Sequence, residues 1–359
     1  MINNVINSII PQRMLAFLIC TIWGGIAIGQ ETYAEKLGYP KDAKVIILHV
    51  DDAGMSWDSN EGTINAVDHG VASSFSVMMP CPWVPAIVKY IKANPTVDAG
   101  LHLTLTSEWK NYRWGPLMGK PSVPGLVDEE GAMWRNVEQV IQHSSGDEVE
   151  AEIRAQIDRA LTMGFKPTHL DSHMGTLFAD EEFLKRYIKI GAEYQIPIMF
   201  PGGHNSILKE EYRLRAKGEL IKSGKWKEGM DVPVPEVVNK APLVGAQVWS
   251  LGLPVMDDLH NMSYGWDFPK DMERTEANIQ SFYTDKFIAT FELLQPGLTM
   301  VLMHCTDPSE IFGEISASGV RRQGDMLAMM DEKLRSYLES EGIIVTTYRD
   351  VMERRKKVK

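Results

Sequence analysis

Eight short apolar runs, alternating with helical patterns from about Lys44 to the end, constrain the fold of this chain more than any other feature. The runs lie at 44–50, 73–79, 99–105, 168–171, 196–200, 247–251, 298–303 and 343–347. Helical patterns fall at 59–69, 85–93, 148–163, 180–194, 273–294 and 322–340, with Gly164 and Gly342 as stops for two of them. Strand-length runs separated by helix-length patterns specify parallel strands joined by crossover helices. Eight such strands fit a distorted (β/α) barrel, an α/β fold. A chain of 359 residues, 44% hydrophobic and 24% charged, can bury the core of one catalytic domain spanning 30–359. Two stretches fit no short connection and read as insertions: 107–145, with Trp109, Tyr112, Trp114 and Trp134 among prolines and glycines, and 204–246, charged and rich in lysine.

The runs are unusual in how they end. The first closes on His49-Val-Asp-Asp, placing Asp51 and Asp52 where a loop begins. Because strand side chains alternate faces, His102, Thr104 and Thr106 share one face of 99–105, and His169, Asp171 and His173 share one face of the stretch around 168–173. The run 298–303 stops at His304. In a parallel sheet every strand's C-terminal end emerges at one rim, where sites assemble. Any one such histidine is ordinarily a hydrogen-bonded core residue. Acids or histidines ending four separate runs are harder to explain by packing, because each must be desolvated and paired. One carboxylate with two imidazoles makes a three-ligand metal site that leaves positions open for water and substrate.

Net charge is −11, and the only basic cluster is the terminal stretch Arg354 to Lys359, which argues against nucleic acid as a partner. Arg13 precedes an apolar run at 14–28 that is short for a bilayer span and carries two glycines. It reads as a signal peptide at 1–29. The expectation is export to a periplasmic or secreted location, with no stable membrane association after cleavage. Cys81 and Cys305 would then remain, more plausibly as buried thiols than as a disulfide.

Asp-Asp-Ala-Gly-Met-Ser, Gly-Leu-His-Leu-Thr-Leu-Thr, His-Leu-Asp-Ser-His and Leu-Met-His, in this order, resemble the YdjC-like carbohydrate deacetylase family, relatives of the NodB-type polysaccharide deacetylases. The resemblance spans about Val45 to Asp350. It implies a distorted barrel that removes N-acetyl groups from amino sugars or oligosaccharides with one divalent metal ion, Mg or Zn. By this resemblance Asp51 is the catalytic base, Asp52, His102 and His173 are the metal ligands, and His304 protonates the leaving amine. His169 and Asp171 would orient the ligands. Family members often carry Gln-His where this chain has Met174-Gly175, which leaves the substrate subclass open.

Trp109, Tyr112, Arg113 and Trp114 are candidate sugar-binding residues, though the same aromatics would serve equally to pack the loop down. Rival functions are another metal hydrolase on the same barrel, a non-haem iron oxygenase and a non-catalytic carbohydrate-binding protein. A homodimer is compatible with the sequence.

Overall fold

The computed structural model of the chain describes residues 31–358; the expected signal peptide at 1–29 lies outside them. The order of the seven strands follows from which of them can be buried on both faces. β1, Lys44–Ala53, is the longest, and its Val45-Ile-Ile-Leu-His-Val stretch is apolar on alternate residues of both faces. It therefore takes the centre of a parallel sheet covered on both sides.

On one side β1 pairs in continuous register with β6, Gly297–Met303, from Lys44 opposite Gly297 to Val50 opposite Met303. On the other side it pairs with β2, Ser74–Val77, and near its N-terminal end with β7, Ile344–Val345. β3, Ala99–Leu103, and β4, Leu170–Ser172, continue beyond β2, and β5, Asp258–His260, flanks β6. The order is β4-β3-β2-β1-β6-β5, with every pairing parallel. The two edges approach each other through an extended segment that makes isolated bridges, Leu170 with Ile198 and Pro201 with Met256. The sheet thus curls into the distorted barrel expected from the alternation.

Alternation on β1 divides the core. Val45 and Ile47 pack with Met199, Met256, Leu298 and Met300 inside the curl, where Tyr348 and the N-terminal residues Ala34, Leu37 and Tyr39 join them. Ile46, Leu48 and Val50 face the larger layer that includes Ile87, Ile153, Tyr187 and Phe287 from the surrounding helices. Continuing the first face along β1 points His49 and Asp51 into the upper mouth of the curl.

Several expectations are corrected. Residues 247–251 are not a strand; they form the end of helix Glu236–Ser250 and the turn after it. The strand that occupies that place is β5, three residues with ionisable ends and little apolar signal. The run at 196–200 makes bridges rather than a ladder. The helix expected over 322–340 is two, Gly319–Met329 and Glu332–Ser340, divided where Asp331 caps the second through Lys333 N–H. The insertion at 204–246 is largely helical, with Ser206–Lys222 followed by Glu236–Ser250, and 107–145 contains helix Val137–His143. Cys81 and Cys305 are both buried and free. Among the described residues no helix is long and apolar enough to cross a membrane.

Candidate metal centre

The site begins with backbone geometry at the end of β1. Asp52 takes φ +67°, a left-handed conformation uncommon for a residue with a side chain and tolerated by aspartate better than most. Gly54 follows at φ +86°, where a Cβ would lie 2.9 Å from a Val84 methyl. This turn separates the directions of two adjacent carboxylates: Asp51 stays on the interior face while Asp52 swings to the rim. Non-glycine residues held this way cost on the order of 1–3 kcal/mol and cluster at functional sites.

Two imidazoles converge on Asp52 Oδ1. His102 Nε2, from β3, lies 3.3 Å away, and His173 Nδ1, just past β4, lies 3.4 Å away. The two ring nitrogens are 3.1 Å from each other. The far side of each ring is held by a carboxylate. His102 Nδ1–H donates to Asp171 Oδ1 at 2.7 Å, and His173 Nε2–H donates to Glu108 Oε2 at 3.1 Å. Each ring therefore presents a lone-pair nitrogen to the other and to Asp52, an arrangement that is repulsive unless a cation or a proton stands between them. Asp52 Oδ1 is buried and has no hydrogen-bond donor aligned with it. A carboxylate oxygen and two imidazole nitrogens, with their outer edges anchored, fit a divalent metal ion.

Two further groupings, Asp51 with His102 and Asp171 and His49 with His169 and Asp171, are also close enough to hold an ion. They are poorer ligand sets because Asp171 is already engaged by two imidazoles: its Oδ1 accepts from His102 Nδ1–H, and its Oδ2 lies 2.8 Å from His49 Nε2. The Asp171 contact fixes the His102 ring with its Nε2 toward Asp52. His169 is buried against it, its Nε2 3.8 Å from Asp171 Oδ2 and its ring stacked on Tyr348 at 3.9 Å.

The field at this centre favours added positive charge. Burial disfavours the charged form of His102, yet the charges of Asp51 and Asp171 hold its ring well above the usual imidazole range. His173 is pushed up to about 9 in the same way, against burial, chiefly by Glu108 and Asp52. Asp52 is itself buried, but the Arg322 guanidinium, 2.7 Å from Oδ2, and the two histidines hold its carboxyl well below the usual range. Burial also opposes charge on His49, but the neighbouring carboxylates of Asp171 and Asp51 raise it to about 9.

Asp51 lies at the inner edge of the cluster. Its Oδ1 is 3.2 Å from His49 Nε2, and its Oδ2 is 3.7 Å from His102 Nε2 and 3.9 Å from His304 Nε2. His304, just past β6, is anchored by its backbone N–H to Asp325 Oδ2, and burial pulls its ring down to about 4. All six ionisable tips expected at the rim, Asp51, Asp52, His102, Asp171, His173 and His304, therefore meet there.

The loop residues divide differently. Arg113 turns inward, donating to Asp128 and Glu130 carboxylates and the Met133 carbonyl. Trp114 is buried, its Nε1–H donating to Thr106 O, and Tyr112 donates to the carbonyl of Met55. Trp109 packs beside Trp114 at 5.4 Å and also lies 6.0 Å from the Arg322 guanidinium. Much of this segment is a cluster with Met55, Met78, Met133 and Phe312 that fastens the loop over the rim.

The sequence marks no site role for Glu108 or His49, and reads Arg322 as a structural residue. Glu108 extends the same two-residue alternation that links His102, Thr104 and Thr106, so a signal was present. Arg322 sits on a helix that follows β6, and nothing local shows that its guanidinium reaches Asp52.

A model of the family described as YdjC-like protein matches residues 45–340. A carbohydrate deacetylase of Brevibacillus brevis is 33% identical over 159 residues, 44% of this chain and 59% of that protein. A carbohydrate deacetylase of Thermus thermophilus is 34% identical over 158 residues, 44% of this chain and 54% of that one. A chitooligosaccharide deacetylase of Serratia marcescens is 34% identical over 137 residues, 36% of this chain and 49% of that one. The chain thus spans about half to three fifths of the length of these curated relatives. An Enterococcus faecalis structure described as a candidate cellobiose-phosphate cleavage protein shares the fold, with a TM-score of 0.61 at 19% identity over 86% of this chain and 99% of that one. Matched by the family over most of its length, with the motif residues assembled at one rim, the chain belongs to the YdjC-like protein family.

Proposed function

We propose that this protein is a divalent-metal-dependent hydrolase that removes N-acetyl groups from amino sugars or their oligosaccharides. The observation that carries the reading is the convergence of His102 Nε2, His173 Nδ1 and Asp52 Oδ1, with a second acid, Asp51, beside them and no ring nitrogen left free to turn away. The names of the matched relatives, carbohydrate deacetylase and chitooligosaccharide deacetylase, support the choice of substrate class.

Asp52, His102 and His173 would hold the ion, zinc or magnesium. When bound, it supplies Lewis acidity toward the acetyl oxygen and lowers the pKa of water toward about 7. Asp51 would accept the proton of the attacking water, for which its Oδ2 faces the cluster rather than a salt-bridging arginine. His49, raised toward its charged form and 3.2 Å from the other Asp51 oxygen, holds that carboxylate by charge. Arg322 keeps Asp52 ionised and so available as a ligand. His304 is neutral at its lowered pKa, so it would pass a proton to the departing nitrogen only after taking one up, for which the proton that Asp51 accepts from water, 3.9 Å away, is the source. The split of roles between adjacent acids follows from their partners, a guanidinium for one and imidazoles for the other.

A non-catalytic sugar-binding role has less support, since it leaves the buried Asp51–His49 pair without a task. The test is acetate release from N-acetylated chito-oligosaccharides, with metal content measured alongside. Asp51→Asn should keep the metal and lose turnover by at least about a hundredfold, the scale of general-base catalysis. His102→Ala should lose both metal and turnover. Full activity in Asp51→Asn would remove Asp51 from the mechanism.

A further inference from the structure

Two tryptophans stand at the same rim and take no part in the cluster described above. Trp57 is 48% exposed and Trp83 is 42% exposed, although tryptophan is among the residues most heavily buried on average. Their rings face each other edge to face, 5.4 Å apart with 60° between planes. Trp57 opens the helix Trp57–Asp68 that follows β1, and Trp83 is the N-cap of the helix Val84–Ala93 that follows β2. Both therefore lie just beyond strand C-terminal ends, on the metal side of the sheet.

The backbone beneath the pair is tied to the loops that form the site. Trp83 N–H donates to Gly54 O, two residues after Asp52, and Asn60 joins the two segments by accepting from Gly54 N–H and donating to Trp83 O. Asp58, next to Trp57, accepts from Ser309 N–H through its side chain and from Asp307 N–H through its carbonyl, which fixes this helix start to the loop that carries His304. The anchoring of both residues means little ordering is left to occur on binding. Two half-exposed indoles offer on the order of 200 Å². That is well short of the ~800 Å² per partner of a stable protein interface, and is on the scale of a single sugar ring. The pair carries no charge of its own, which suits a neutral pyranose with axial C–H groups on one face.

We propose that Trp57 and Trp83 form a stacking platform for a sugar unit of an N-acetylated oligosaccharide, one or more units away from the ring whose acetyl group meets Asp51 and the metal ligands. This rests on the deacetylase reading and extends it from a site for one residue of the substrate to a cleft that senses chain length.

The experiment uses the full chain loaded with zinc, carrying Asp51→Asn so that the ligand is not consumed. Chito-oligosaccharides from the disaccharide upward are titrated by calorimetry and by intrinsic tryptophan fluorescence. Affinity is expected to rise with length by roughly tenfold, the scale of one aromatic stacking contact. Trp57→Ala and Trp83→Ala should each remove most of that rise, while Trp57→Phe and Trp83→Phe keep a good part of it, which separates stacking from damage to the fold. Equal affinity for short and long oligomers, or a rise that survives both alanine variants, overturns the platform. So does a change in oligomeric state on gel filtration in Trp57→Ala with sugar affinity intact, which would make the pair a protein contact. Acetate release by the unmutated chain is measured in parallel. Length-dependent binding without any release sinks the deacetylase reading and leaves the platform standing, whereas release that is indifferent to length does the reverse.

Discussion

At the scale of single residues, the chemistry at this rim is decided by which polar atoms are already spoken for. His173 is a ligand candidate through Nδ1 only because Glu108 holds its Nε2–H, and His102 through Nε2 only because Asp171 holds its Nδ1–H. Glu108 is the more revealing of the two to alter, since its side chain is 21% exposed whereas that of Asp171 is fully buried. Glu108→Gln is expected to weaken zinc binding by about 10- to 100-fold, as loss of a carboxylate behind a metal-bound histidine does. Competition with a chelating dye measures this without reference to turnover, and unaltered affinity would show that His173 is oriented by something else. Glu108 was within reach of sequence reasoning as the fourth member of an alternating series. Arg322 was not, because its partner lies 270 residues away and only the fold brings Nη2 to 2.7 Å from Asp52.

Elements are positioned by capping and by charge clusters that also cross long distances. The helix Ser206–Lys222 begins after Asn205, which makes no side-chain cap, and its first N–H groups, those of Ile207 and Leu208, are taken by Asp258 of β5. A reader of the sequence looks for the cap beside the helix, which is one reason the 204–246 insertion read as a long loop and β5 escaped notice. Elsewhere the signals were local and sufficient: Ser145 and Glu148 form a capping box at the start of Gly146–Thr162, and Asp180 caps Glu181–Tyr194. These two helices are joined through Glu150, which accepts from Arg154 at 2.7 Å, Arg186 at 2.8 Å and Lys189 at 2.9 Å. Burial would raise this carboxyl, but the three cations outweigh it and pull it down to about 2. A carboxyl lowered on folding stabilises the native state above its unfolded value of 4.5, and that contribution disappears as pH falls toward about 2. Glu150→Gln should therefore be less stable than the unmutated chain near neutral pH, with the gap closing through this acid window. Urea unfolding at a series of pH values would show it, and a gap independent of pH would assign the loss to packing.

For the molecule as a whole, the cluster at the mouth of the curl ties folding to metal binding. Asp52, His102 and His173 come from the ends of β1, β3 and β4, so a cation held by all three bridges strands that are not all neighbours. An ion that binds the native state alone stabilises it by about 4 kcal/mol at a thousandfold excess over its dissociation constant. Zinc should raise the thermal midpoint of the unmutated chain, EDTA should reverse the rise, and His102→Ala should show neither effect. A shift of equal size in His102→Ala would place the ion elsewhere.

What the sequence determined by itself was the alternation that specifies a parallel curled sheet, and the identity of the ionisable residues that end its strands. Both are local: a two-residue repeat chooses a face, and a strand's end is marked where its apolar run stops. Tertiary structure alone decided which nitrogen of each histidine is free, that Asp51 and Asp52 part company through a left-handed turn, that Arg322 completes the cluster, and that the 247–251 stretch is helical. Those outcomes depend on partners from distant parts of the chain. No pattern along the chain records a distance between two side chains that meet only after the sheet has closed.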